Sequence, residues 1–359
     1  MAPLGLEKSE ISLRLIQNGK VYQVVVKEKI TITRERNAAS KLSCTILRDE
    51  ITPEVGNALA FTLDRDHNQF YGYIVTTRKS GEWCEVEAYD QLYYMNRNKM
   101  RFSYENATAT DVALRICKDR GYGVLDPPNM DNTGYAIPSR IEENVSDLTI
   151  ITTALDLTYQ ATGMRYFIFD DFGNVCIHHD GKLAADCNLF LTRAYMEDYS
   201  YDETLDDTWT AARIEERIVD NGSKKTKEDN KVEIKTTTLR DEAAIEKYGF
   251  LEAFEQLEEG ENPNNKAQQI LKNNAPPTRT ITLSGVQGDI TVRGGTPILI
   301  DMFTGERAEF IRGWFAVESV THNFVDGCHT MDLTASLLVN LNDWGNTDPG
   351  YHSYPFGIL

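Results

Sequence analysis

The sequence holds no run of about 18 consecutive apolar residues, the length a helix needs to cross a bilayer. Its opening, MAPLGLEKSE, lacks the basic-then-apolar order of a secretory leader. Both absences predict a chain that folds in the cytoplasm and does not insert into a membrane. Close cysteine pairs are missing as well. Cys44, Cys84, Cys117, Cys176, Cys187 and Cys328 are scattered without any CxxC spacing, which argues against a zinc ribbon or a dithiol redox motif. Free, mostly buried thiols are expected in a reducing compartment. Motifs for nucleophilic or phosphate chemistry are also lacking: there is no GxSxG elbow and no GxxxxGKS or GxxxxGKT loop. The glycines of TVRGGTP, Gly294 and Gly295, fall between β-like segments and read as a turn.

Positive charge is in deficit. The 37 Lys and Arg stand against 55 Asp and Glu, a formal net charge of −18, which argues against docking to nucleic acid or to anionic lipid. Acidity of this size keeps a large protein soluble, and it also suits a wall past which a polyanion slides without sticking.

What is present is β-patterning interrupted by helices. At 359 residues the chain has room for two or three domains. From Ile11 to about Tyr89, the segments ISLRLI, VYQVVVK, KITITRE, KLSCTIL, ALAFTLD, FYGYIVTTRK and WCEVEAYD alternate apolar and polar residues, as an antiparallel sheet or small barrel would. After Asn106 the period changes. Thr108 with Asp111 predicts a capped helix that Gly121 closes, and Ser146 predicts a second that ends at Gly163. MRYFIFDDFGNVCIHHD reads as a hairpin turning at Asp171 to Asn174. Strand patterning resumes from about Arg193, NGSKKTKEDNK predicts a mobile loop, and DEAAIEKYG and NNKAQQILKN predict helices. FLEAFEQLEEG fits strand or helix. The chain closes with RTITLSG, PILIDMF, GWFAVESVTHNF and CHTMDLTASLLV, the last two joined at Asp326 and Gly327. The expected fold class is α+β multidomain: a β-barrel over 1–98, a small α+β middle domain over 99–192, a second β-domain with inserted helices over 193–345, and a tail over 346–359. Strands after residue 190 that return to complete the first barrel are the alternative.

Few residues suggest chemistry. His178, His179 and Asp180 form an enzyme-like cluster, but successive strand residues point to opposite faces, so an exposed polar strand end is preferred to a metal site. A two-residue turn at Asp326 and Gly327 would set Phe324 opposite His329 and His322 opposite Met331. His322 and His329 could then approach one ion diagonally. A third ligand is missing there, so hydrogen-bonded structural histidines are expected and no metal or other cofactor. Paired carboxylates such as Asp170 with Asp171, or Asp206 with Asp207, are expected at turns and solvated faces. Trp83, Trp209, Trp314 and Trp344 are well separated and read as packing residues.

Several strings resemble the baseplate hub proteins of contractile tails from PBSX-type prophages, the XkdQ/YqbQ-like family. They are AYDQLYYMNRNKMRFSYENATATDVALRICKDRGY, SDLTIITTALDLTYQATGMRYFIFDDFGNV, DEAAIEKYGFLEAFEQL and VESVTHNFVDGCHTMDLTASL, in that order. Tyr89, Asp90 and Tyr94 match the family after the first β-region, Tyr248 with Gly249 match its short helix, and His322, Gly327, His329 and Met331 match its terminal hairpin. One departure is TWTAARI, where relatives carry an Asn and Ala212 stands here before Arg213. The resemblance implies two tube-like β-domains per subunit and a homotrimer that adapts a threefold spike to a sixfold tail tube. It implies a structural protein and not an enzyme, with tube, spike and other baseplate proteins as partners, and a tape-measure protein or DNA in the channel. The particle would be a phage virion or a headless bacteriocin. Two other readings are a tail-associated peptidoglycan or polysaccharide hydrolase and a carbohydrate-binding adhesin.

Overall fold

The computed structural model describes residues 10–49, 51–64, 67–185, 190–191, 196–219, 232–257, 262–274, 277–303 and 310–340. The KKTKEDNK loop, Cys187, Trp344 and the 346–359 tail lie outside the described residues. The chain packs as two compact units, residues 1–200 with 281–359, and residues 201–280.

In the larger unit the first seven strands are β1 (Ile11–Gln17), β2 (Lys20–Gln23), β3 (Lys29–Glu35), β4 (Lys41–Leu47), β5 (Ala58–Leu63), β6 (His67–Ser80) and β7 (Trp83–Tyr89). Alternation sets their faces: in β3, Ile30, Ile32 and Arg34 point inward while Thr31 and Thr33 are half-buried on the other side. The ladders run β3-β4-β7-β6-β5-β1-β2, all antiparallel. The segment after β2 crosses from one end of this path toward the other. Val24 donates to the carbonyl of Leu13 at 3.1 Å, Lys27 to that of Thr45 at 2.9 Å, and Leu47 to that of Val25 at 2.9 Å.

The middle region follows as α1 (Leu92–Arg97), β8 (Lys99–Tyr104), α2 (Ala109–Arg120), β9 (Arg140–Ser146), α3 (Asp147–Thr162), β10 (Tyr166–Asp171), β11 (Asn174–His179) and α4 (Asp180–Ala185). The predicted caps are in place. Thr108 and Asp111 form a reciprocal capping box on α2, Ser146 caps α3, and left-handed Gly121 and Gly163 end them. The two helices bury Val112, Ile116, Ile151 and Leu155 in one core with Ile168 and Ile177 of the β10–β11 hairpin. That hairpin turns at Phe172 and Gly173, within the predicted stretch.

The second β-region contributes β12 (Phe190–Leu191), β13 (Asp198–Thr204), then, in the smaller unit, β14 (Ala211–Val219), β15 (Val232–Arg240), α5 (Glu242–Tyr248), β16 (Glu252–Gln256) and α6 (Pro263–Asn274). It ends with β17 (Thr278–Gln287), β18 (Pro297–Phe303), β19 (Phe310–Val325) and β20 (Cys328–Asn340). The stretch that fitted strand or helix is therefore β16, a strand parallel to β14. Ala212, the departure from the family pattern, is fully buried in β14 against Ala267 and Leu271 of α6, where an Asn amide would lose its water.

The expected pair of closed barrels is not what the ladders form. Among the described residues no ladder closes a ring. β19 pairs antiparallel with β3 from Ser319↔Glu35 to Val325↔Lys29 and, on its other side, with β20. Both β-rich ends thereby enter one sheet, and Phe324 of β19 sits 4.9 Å, centroid to centroid, from Phe61 of β5. At 16 residues β19 is long enough to serve two cores, because its Phe315, Val317 and Val320 pack instead with Ile281, Ile298 and Leu333.

Candidate functional site: a buried polar centre and the terminal hairpin

The register of β19 and β20 is the one the Asp326–Gly327 turn predicts: Phe324 faces His329 and His322 faces Met331. Both turn residues take positive φ, 50° and 82°, as this two-residue hairpin requires. The imidazoles meet, with His322 Nδ1 3.0 Å from His329 Nε2, while His322 Nε2 lies 3.0 Å from the carbonyl of Val292. A carbonyl only accepts, so His322 carries its proton on Nε2. Its Nδ1 then accepts from His329 Nε2–H. This assignment leaves one lone pair, on His329 Nδ1, unused between the two rings. Burial, reinforced by Arg34, pushes His322 well below the ordinary imidazole value and His329 down to about 4, so both are neutral at pH 7. His329 also stacks on Phe324 at 4.4 Å. Gly288 passes over it so closely that a Cβ there would stand 2.2 Å from the ring. Among the described residues no group of three or more His, Cys, Asp or Glu is placed to hold a metal ion.

His178 and His179 do lie on opposite faces of the β10–β11 hairpin, paired with Phe167 and Tyr166. The expectation of an exposed strand end is corrected: His178 and Asp180 are buried. His178 Nδ1 lies 3.5 Å from Asp131 Oδ1, and the backbone N–H of His179 donates to Asp131 Oδ2 at 2.9 Å, so the loop carrying Asp131 covers this end.

A second polar centre, which sequence reasoning missed, lies beside the histidine pair. Arg34 of β3 is buried and donates from Nη1 to the carbonyl of Ile290 at 2.7 Å and from Nη2 to that of Gln69 at 2.8 Å. Burial, with Arg293 as the next cause, lowers its guanidinium to about 9. Arg293 is stacked 4.1 Å over Phe169. Asp90, after β7, accepts from the backbone N–H of Ser40 at 2.7 Å and of Leu92 at 3.0 Å. Asp170 accepts from Gln91 Nε2 at 2.7 Å and from the Gly173 N–H at 2.8 Å. Burial pushes both carboxyls upward, and Asp90 pushes Asp170 further. Charges from the first sheet, the hairpin and the loop before β18 thus share one interior. Close approach there is enforced by Gly294, where a Cβ would stand 2.1 Å from the backbone nitrogen of Arg36. Gly294 is accordingly a packing position and not only a turn.

In the sequence Asp170 reads as half of a turn pair, and Asp90 stands out only through its match to the family. A signal existed for two members: Arg34 follows Ile30 and Ile32 on the buried parity of its strand, and Asp170 follows Tyr166 and Ile168 on theirs. The neighbouring family positions form an aromatic run at the surface. Tyr89 stacks on Tyr93 at 4.8 Å, and Tyr94 meets Tyr73 edge-on at 5.9 Å.

The fold is similar to that of phage tail proteins. It aligns with the prophage MuSo2 43 kDa tail protein from Shewanella oneidensis at a TM-score of 0.63 and 14% identity, covering 91% of this chain and 98% of that one. It also aligns with the E. coli c3393 protein, a type VI secretion component described as similar to T4 bacteriophage tail proteins gp27 and gp5. There the TM-score is 0.50 and the identity 12%, over 93% of this chain and 77% of that one. Residues 30–336 match the YQBQ-like family, and the chain belongs to it. Among relatives, the phage-like element PBSX protein XkdQ of Bacillus subtilis is 23% identical over 274 residues, 74% of this chain and 76% of that protein. The resemblance seen in the sequence is borne out at the level of the family.

Proposed function

We propose that this chain is the structural hub of a contractile phage tail or phage-tail-like bacteriocin, assembling as a homotrimer between the sixfold tail tube and the threefold spike. The observation that carries this reading is the β3–β19 ladder, which ties two β-rich regions into one continuous sheet on a fold shared with tail proteins over nearly the whole chain. In this reading residues 1–98 and 193–345 supply the two tube-like domains and 99–192 the insertion. Three subunits then present six such domains, and ring closure covers strand edges that would otherwise invite aggregation. The channel wall is acidic, so DNA or a tape-measure protein passes without adhering. The particle is put together in the bacterial cytoplasm, and the hub contacts tube, spike and other baseplate proteins.

The chain acts without catalysis in this reading. The carboxyls most strongly raised by burial, Asp90 and Asp170, are interior and hydrogen-bonded, out of reach of a polysaccharide. The histidine pair is structural, its facing nitrogens occupied by each other. Light scattering on the purified chain, alone and mixed with its spike and tube proteins, tests the assignment. A trimer that caps a six-membered tube ring is the expected result. A monomer indifferent to both partners would overturn it.

A further inference from the structure

A basic stretch in the middle region stands against the overall acidity of the chain. Between Arg97 and Arg120 there are six basic residues (Arg97, Lys99, Arg101, Arg115, Lys118, Arg120) and three acidic ones (Glu105, Asp111, Asp119), a balance of +3 in a protein of −18. β8 and α2 fold this stretch around a cavity of about 310 Å³ lined by Met100, Arg101, Phe102, Ser103, Arg115, Asp119 and Arg120. We propose that this cavity is a carboxylate-binding site that takes an acidic peptide segment of a partner protein. The inference goes beyond the hub reading and does not depend on it.

The arginines are positioned for the task. Arg120 spans both oxygens of the buried Asp147 carboxylate, at 3.0 and 3.3 Å, and donates to the carbonyl of Lys99 at 3.2 Å, which fixes its side chain in the wall. Arg101 holds Glu143 at 3.2 Å in an exposed pair that a competing carboxylate can open at little cost. Arg115 differs from both. Its guanidinium lies 4.5 Å over the Phe102 ring and donates to the carbonyl of Ser103 at 3.1 Å. Among the described residues no ion pair joins it to a carboxylate, and its side chain is part of the cavity lining. A planar fork held by stacking and one hydrogen bond is preorganised for a carboxylate.

The same geometry disfavours nucleic acid. The face of Phe102 on which a base would stack is already covered by Arg115. A long polyanion would meet the field of the whole acidic chain, whereas a short acidic segment feels chiefly the charges within a Debye length of about 8 Å. Half-buried Met100 supplies an apolar contact against which the stem of a Glu side chain can lie.

The test uses the full chain and a dye-labelled peptide with four consecutive Glu residues, followed by fluorescence anisotropy at low salt. Its isosteric Gln peptide and a short oligothymidylate serve as competitors. The Glu peptide is expected to bind saturably, and the Gln peptide at least about tenfold more weakly, as loss of one charged pair implies. Arg115→Gln is expected to weaken binding about tenfold and Arg115→Lys less, because the charge stays while the fork is lost. Arg101→Gln provides a second variant whose exposed pair contributes little to folding, and circular dichroism checks both for the native fold. Equal binding of the Gln peptide, unchanged affinity in natively folded Arg115→Gln, no binding up to about millimolar peptide, or tighter competition by the oligothymidylate would each overturn the proposal.

Discussion

The larger unit and the smaller one are both sheets backed by helices, yet they are stabilised on different scales. In the larger, the β3–β19 sheet buries Phe61, Phe315, Phe324 and a dozen or more aliphatic side chains in two clusters, and the middle helices add a third. In the smaller, residues 201–280, the hydrophobic cluster among the described residues is Ala212, Ile214, Ala267 and Leu271, with Leu239, Leu257 and Ile270 at its margin. The same unit leaves Ile234, Phe250 and Phe254 more than half exposed. A core of that size contributes only a few kcal/mol, so the smaller unit is the region expected to open first.

The comparison can be broken by mutation. Phe61→Ala should cost about 4 kcal/mol, since it leaves a void beside Phe324 at a fully buried position, and denaturant unfolding should show the main transition moving. Next in size is a pH effect confined to the larger unit. His329 titrates near 4 in the folded chain against about 6.5 in the unfolded one, and His322 lies lower still. Folded pKa values that are depressed mean stability is held above pH 6.5 and lost as pH falls through about 4, as the unfolded chain takes up protons. The loss expected for His329 is up to about 3 kcal/mol. Asp90, raised by burial, titrates in the same window with the opposite sign, so the effect is read as the difference in urea midpoint between the native chain and His329→Gln from pH 7 to 4.

Smaller effects sharpen the contrast. Leu271→Ala should cost about 2 kcal/mol, the low end for such a truncation because a thin core relaxes. Hydrogen exchange should then quicken in β14, β15 and α6 and leave β3 and β19 protected. A single shared transition would show the two units to be equally cooperative. Thr108→Ala removes one half of the α2 capping box and should cost about 1 kcal/mol, read as a small shift in the main transition.

The sequence was most legible where structure is local. The α2 cap lies within four residues, and the Asp326–Gly327 turn sets a register that carries His322 to His329 by strand alternation alone. FLEAFEQLEEG stayed ambiguous because a five-residue apolar alternation has no length to separate strand from helix, and only pairing with β14 decided it. The β3–β19 ladder was not legible as such. Thr33 and Thr321, 288 residues apart, share a 3.1 Å hydroxyl contact that no local pattern encodes. The polar centre was hidden for a related reason: Arg34, Asp90, Asp170 and Arg293 come from four distant segments, and each alone resembles an ordinary surface charge.

The same ladder sets an order of events during synthesis. β3 leaves the ribosome nearly 300 residues before β19, and at about 5–20 residues per second that interval is about 15–60 s. Throughout it the nascent chain carries a bare strand edge flanked by Ile30 and Ile32, with Arg34 not yet met by the carbonyl of Ile290. An Arg on the buried parity makes that edge a poor template for a neighbouring nascent chain, so the residue that completes the finished interior also guards the unfinished one.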